Sequence, residues 1–144
     1  MSQAPEKTGV ETPALEWLVP EPQSENIDLI ALTRALVDID STSGREGAVA
    51  SVLSRYLSEQ DFAVTEQRVD EHRFNVYAGP AQPEVVLSTH IDCVPPFFPS
   101  RLDAGRLYGR GASDDKGGIA VHLGALRALR ALDPGGPLPV GLTL

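Results

Sequence analysis

Disulfide chemistry is closed to this chain: Cys93 is its single cysteine in 144 residues, so no internal bridge can form. Such sparing use of thiols fits a reducing compartment. Lysine is nearly as scarce. Ten of the twelve basic residues are arginines, scattered without forming a patch, and twenty acidic residues outweigh them to give a net charge of −8. That balance, with a pI near 4.7, argues against nucleic acid and against an anionic membrane surface as partners. No stretch has the length and apolarity of a membrane span or of a signal-peptide core, so no membrane partner is expected and the expected address is cytoplasmic. No internal repeat is visible.

What remains is an ordinary globular composition, 42% hydrophobic, long enough for one modest domain with a real core. Residues 1–25 stand apart. They carry Pro5, Pro13, Pro20 and Pro22 among glutamates, with one apolar cluster around Leu15, Trp17, Leu18 and Val19. Such a segment buries too little to offset its ordering entropy, and it is expected to be a mostly disordered arm whose Trp17 cluster docks on the domain. The domain proper is expected over residues 26–144.

Leu29, Leu32, Leu36 and Ile39 recur at helical spacing, Ser41-Thr42-Ser43-Gly44 breaks the pattern and caps a second helix, and Val49, Val52, Leu53, Tyr56 and Leu57 form its stripe. Strands are expected over Phe62–Val69, Arg73–Ala78 and Glu84–Thr89, the last solidly apolar as a central strand covered on both faces would be. Cys93 to Gly105 reads as an irregular Pro-rich loop, followed by a short strand Arg106-Leu107-Tyr108. A third helix after Asp115 turns Ile119, Leu123, Leu126, Leu129 and Leu132 inward, its Arg-rich outer face solvated, until Pro134-Gly135-Gly136-Pro137 stops it. The order predicts an α/β fold, a mixed sheet sandwiched by helices. A last strand, Leu138–Leu144, is either an edge strand at a natural terminus or the point where a longer protein was cut, and the second reading is the expectation.

Two segments carry chemistry. In extended chain, residues two apart share a face, so His90 and Asp92 project together beyond the Val85–Thr89 run while Ile91 and Cys93 point the other way. Imidazole is the commonest metal-binding side chain, and a neighbouring carboxylate can fix its tautomer. In the second segment, Gly109-Arg110-Gly111-Ala112-Ser113-Asp114-Asp115-Lys116-Gly117-Gly118, two glycines allow a sharp turn that delivers Asp114 and Asp115 to a helix start. A carboxylate can bridge two cations, as two-metal hydrolases require. The segment satisfies neither phosphate-loop pattern nor the EF-hand spacing. Taken singly, each segment is equally well a surface His–Asp pair or an aspartate cap after a glycine turn.

In combination, Thr89-His90-Ile91-Asp92-Cys93-Val94-Pro95 and Tyr108 to Gly118 resemble the M20 family of metallopeptidases, which includes acetylornithine deacetylases, desuccinylases, aminoacylases and carboxypeptidases. The resemblance covers about Asn26 to Leu144. It implies that His90 is a metal ligand, that Asp114 bridges two divalent ions, and that Asp92 joins the catalytic machinery as the carboxylate supporting His90. Asp115 is left unassigned. The resemblance also implies a cis peptide between Asp114 and Asp115. The ions would be zinc, with cobalt or manganese as substitutes, and the substrates N-acyl amino acids or small peptides.

In similar proteins the strand matching Leu138–Leu144 runs into a Glu-Glu pair holding the general base and a further ligand, and a lid domain through which the whole protein can form a homodimer. The chain as given is therefore expected to be nearly inactive alone. The alternative is a complete, non-catalytic module with a vestigial metal site. Of the remaining residues, His122 and His72 are expected to be structural or exposed, Cys93 small and buried, and Phe97 and Phe98 loop anchors or pocket lining. Arg110 and Lys116 would either position acidic groups or brace the loop.

Overall fold

The computed structural model describes residues 27–144, so the expected arm and its Trp17 cluster lie outside the described residues. Helix α1 (Leu29–Val37) starts where Asp28 accepts hydrogen bonds from the backbone of Ile30 and Ala31 at 3.0 and 2.9 Å, satisfying two amides that a helix start leaves unpaired. Helix α2 (Gly47–Glu59) turns Val49, Val52, Leu53, Tyr56 and Leu57 inward as its stripe predicts. It packs on strands β1 (Val64–Arg68) and β2 (Phe74–Ala78), an antiparallel pair joined by a tight turn. That turn is set by Asp70, whose carboxylate accepts the amides of His72 and Arg73, both at 2.9 Å.

Strand β3 (Val85–Ser88) follows, then a two-stranded hairpin of β4 (Arg101–Asp103) and β5 (Arg106–Tyr108), helix α3 (Gly117–Leu132) and strand β6 (Val140–Thr143). The main sheet runs β1-β2-β6-β3, with β6 antiparallel to β2 and parallel to β3. This is the mixed sheet with helices that the element order predicts. One core joins all three helices to the sheet through Leu36, Leu53, Leu57, Val76, Ile119, Leu126 and Leu142, each at most 1% exposed. Burying each such large side chain is worth about 1.5–3 kcal/mol. Among the described residues no helix is long and apolar enough to cross a membrane.

Several expectations need correction. Strand β3 is not a covered central strand: it pairs only with β6, and Val85 and Val86 are 53% and 47% exposed. Its apolar run reflects composition on both faces, and nothing among the described residues lies over them. The edge-strand alternative for Leu138–Leu144 does not hold, since β6 is bonded on both sides. The Pro-rich stretch is not wholly irregular, because β4 pairs with β5 in register Arg101↔Tyr108. Leu129 and Leu132 do not reach the core and remain 39% and 82% exposed. The arginines of α3 are not simply solvated: Arg130 lies 5.4 Å above the Phe62 ring, and Arg127 is half-buried with its charge acting on Tyr56. Finally, Ser41–Gly44 does not cap α2, whose first turn has no side-chain cap.

Candidate metal site

What Ser41–Gly44 does is hold the first motif. The Cys93 amide donates to the Ser41 carbonyl at 3.0 Å, the Ser43 amide donates to the Cys93 carbonyl at 3.1 Å, and Thr42 and Cys93 form a parallel bridge. The fully buried Ser41 hydroxyl donates to the Ile91 carbonyl at 2.7 Å. This short rail keeps residues 90–93 extended after β3 has ended. The alternation follows as expected: Ile91 and Cys93 are buried, while the side chains of His90 and Asp92 are 49% and 44% exposed.

The second motif is shaped by backbone. Gly109 adopts φ +156°, and a Cβ there would fall 2.3 Å from Val37 Cγ1, so only glycine lets the turn approach α1. Gly111 is left-handed at φ +81° and opens a wide helical turn, Ala112–Lys116. Inside that turn Asp114 and Asp115 depart from helical torsions, and neither caps α3. Both carboxylates thus precede the helix rather than begin it, which corrects the expectation that they sit at its start. The Asp114–Asp115 peptide is cis.

The two motifs meet at His90. Its Nε2 lies 3.0 Å from Asp114 Oδ1. Its Nδ1 lies 3.2 Å from Asp92 Oδ1 and 3.1 Å from the Asp92 carbonyl oxygen. Asp92 is itself oriented, because the Ser43 hydroxyl donates to its other oxygen at 3.2 Å. Partial burial of the imidazole disfavours its charge, but the hydrogen bonds that Asp114 and the Asp92 carbonyl accept from it, with the two carboxylate charges, outweigh it and raise the His90 pKa. His90 and Asp92 separate two open clefts. One, about 250 Å³, is lined by the Gly109–Asp114 turn. The other, about 240 Å³, is lined by Glu46, Arg73, Asn75 and Thr89.

Arginine and lysine side chains brace this arrangement. Lys116 is 1% exposed, and its ammonium donates to the Ile39 carbonyl at 2.8 Å, tying the turn to the end of α1. Burial pulls its pKa down, opposed by the charges of Cys93, Asp40 and Asp38. Arg110 donates to the Pro96 carbonyl at 3.0 Å and stacks 4.8 Å over Phe98. Phe97 and Phe98 remain 36% and 43% exposed, outside both the core and these clefts. His122 lies part-buried within α3 and His72 is exposed, both away from the motifs.

Sequence reasoning missed Ser41, Ser43 and the Thr89–Asp115 hydrogen bond. Their partners lie far along the chain, and no local pattern marks them. The donors present fit part of a metal shell: an imidazole nitrogen and a carboxylate oxygen converge, the far ring nitrogen is held by Asp92, and the Asp114 side chain is 89% exposed. Among the described residues no group of three or more His, Cys, Asp or Glu forms a ready cage.

Residues 86–143 match the model of peptidase family M20/M25/M40. Over 139 residues the chain is 37% identical to a probable carboxypeptidase of Arthroderma gypseum, covering 80% of this chain and 30% of that protein. Over 121 residues it is 39% identical to a probable carboxypeptidase of Emericella nidulans, covering 76% and 28% respectively. Among solved structures, a tripeptidase from Staphylococcus aureus superposes with a TM-score of 0.65 at 24% identity, over 80% of this chain and 35% of that one. Human carnosine dipeptidase 1 does so with a TM-score of 0.65 at 20% identity, over 80% and 31%. At these identities the superpositions speak for the fold. The chain spans about 30% of the length of the curated relatives it matches.

Proposed function

We infer that the chain belongs to the M20/M25/M40 peptidase family and forms part of a metal-dependent hydrolase of amide bonds in small peptides or N-acyl amino acids. The observation that carries this reading is the 3.0 Å approach of His90 Nε2 to Asp114 Oδ1, with His90 Nδ1 held by Asp92. Without a metal a proton on Nε2 joins the ring to Asp114; the same nitrogen and carboxylate oxygen can instead serve as donors to a divalent cation that takes the place of that proton.

His90 and Asp114 would hold the ion, zinc or its substitutes cobalt and manganese, and the exposed Asp114 carboxylate has the reach to serve a second ion. When bound, such ions polarise a substrate carbonyl and acidify water. The chain's own residues do the positioning: Asp92 fixes the ring, Ser43 fixes Asp92, and the Gly109–Gly111 turn presents Asp114. Relatives described as probable carboxypeptidases, and fold neighbours described as a tripeptidase and a dipeptidase, support a small peptide as substrate. A cytoplasmic setting belongs to the same proposal, in keeping with the lone, buried Cys93.

The test is cobalt titration of the chain, followed by absorbance and calorimetry, beside His90→Ala and Asp114→Ala. Each substitution should weaken cobalt binding by tenfold or more, as losing a donor from a small ligand set demands. Binding left unchanged in both variants would refute the assignment.

A further inference from the structure

We propose that Thr89 and Asp115 form a clamp that positions His90 against Asp114; the inference rests on the metal-holding reading of those two residues. Thr89 is the chain neighbour of His90, and Asp115 is the chain neighbour of Asp114. The Thr89 hydroxyl donates to Asp115 Oδ2. Among the described residues, this and the His90–Asp114 contact are the two side-chain hydrogen bonds that join residues 89–93 to residues 111–116.

Burial separates the roles of the two bonds. His90 and Asp114 are exposed, and an exposed pair has rotamer freedom that by itself disfavours one fixed geometry. Thr89 and Asp115 are half-buried, and there a hydroxyl-to-carboxylate bond is stronger and less exchanged with water. The space for the Asp115 carboxylate is reserved by Gly118: a Cβ on that residue would fall 2.2 and 2.5 Å from the two carboxylate oxygens. The next residue, Lys116, is anchored to the end of α1. Asp115 thus stands between an anchored neighbour and its bond to Thr89, and that bond ties the Asp114 backbone to the end of β3. Thr89 and Asp115 are positioning residues, acting on the metal donors through the backbone.

A purely structural hydrogen bond would change stability and leave the donors alone, so the test reads the donors. Ring-nitrogen chemical shifts of His90 are recorded in the metal-free chain for Thr89→Val, Asp115→Ala and the double variant, with Asp114→Asn as reference and melting temperature beside them. The clamp requires that Thr89→Val and Asp115→Ala each move the His90 ring nitrogens in the direction Asp114→Asn moves them. It also requires that the double variant move them no further. Thr89→Ser, which keeps the hydroxyl, should restore the wild-type shifts, and Gly118→Ala, which displaces the carboxylate without removing it, should reproduce the loss.

Ring shifts that stay at wild-type values in Thr89→Val, whatever the melting temperature does, overturn the proposal, as do strictly additive shifts. If Asp115→Ala fails to fold, Thr89→Val and Gly118→Ala carry the same comparison. Cobalt affinity of the same variants should fall by about tenfold or more, the usual cost of losing a group that orients a metal ligand. The nuclear-magnetic-resonance arm needs no metal. Cobalt binding that His90→Ala and Asp114→Ala leave unchanged therefore refutes the metal-holding reading, while the ring shifts still decide the clamp.

Discussion

Replacing Lys116 separates packing from charge at the one fully buried cation among the described residues. Lys116→Ala removes three methylenes and the ammonium from a site with no solvent to fill the space. Three methylenes at about 0.8 kcal/mol each give about 2.4 kcal/mol, and the residual cavity adds to it, so a loss of about 3–4 kcal/mol is expected. Lys116→Met keeps most of the stem. It forfeits the 2.8 Å bond to the Ile39 carbonyl, worth about 1.5–3 kcal/mol, but also relieves the cost of burying a charge. These nearly offset, and methionine should cost about 1 kcal/mol or less.

Urea denaturation followed by circular dichroism measures both. Wild type should also gain on Lys116→Met as pH rises. Burial lowers the folded-state pKa below the ordinary 10.5, so above that lowered value the folded chain has shed a proton the unfolded chain still binds. Stability then climbs with pH until about 10.5, where the unfolded chain releases its proton too. A methionine variant as unstable as the alanine variant, or a wild-type advantage that falls over this window, would refute the reasoning.

Two further perturbations test the scaffold. Gly47→Ala should destabilise by about 1–3 kcal/mol although alanine is the better helix former by about 1 kcal/mol, because its Cβ would lie 2.1 Å from the His72 carbonyl oxygen. A stabilised variant in thermal denaturation would contradict that close approach. Asp40 accepts the Thr42 amide at 3.0 Å, the Thr42 hydroxyl at 2.8 Å and Arg45 at 2.9 Å. The amide bond leads in holding its pKa below the ordinary 3.8 against partial burial. Its contribution is present above that ordinary value and lost as pH falls through the lowered one. Asp40→Asn should therefore cost under about 1 kcal/mol near neutrality, given an exposed partner in Arg45, and the difference from wild type should vanish in acid melts.

Elements with a period were legible in the sequence, and partners distant in the chain were not. The α2 stripe of Val49, Val52, Leu53, Tyr56 and Leu57 is a local pattern, and all five are buried. The alternation of His90 and Asp92 with Ile91 and Cys93 is equally local, and it holds even though the strand itself stops at Ser88. Strand β3 shows where locality fails. Val85-Val86-Leu87 has the composition of a covered strand, but coverage depends on what packs there, and a run of valines says nothing of that. For Lys116 the sequence leaves two roles open, positioning acidic groups or bracing the loop, and only the path of α1, which brings the Ile39 carbonyl to its ammonium, decides for bracing.

The same distinction explains how the site is built. Its two exposed donors stand on stretches without regular structure, which by themselves would wander. Each is fixed by a polar contact to a segment remote in sequence: the buried bond from Ser41 to Ile91 across 50 residues, and the part-buried bond from Lys116 to Ile39 across 77. Breaking the first leaves a buried carbonyl unpaired and breaking the second leaves a buried ammonium without its acceptor, each at about 1–3 kcal/mol or more, so these contacts persist as long as the domain does. Irregular backbone can hold two donors 3.0 Å apart because the cost of losing that order is charged to the core and not to the loop. A substitution at Ser41 should accordingly disturb His90 and Asp92 before it unfolds α2, since the serine bonds the former segment and makes no cap on the latter.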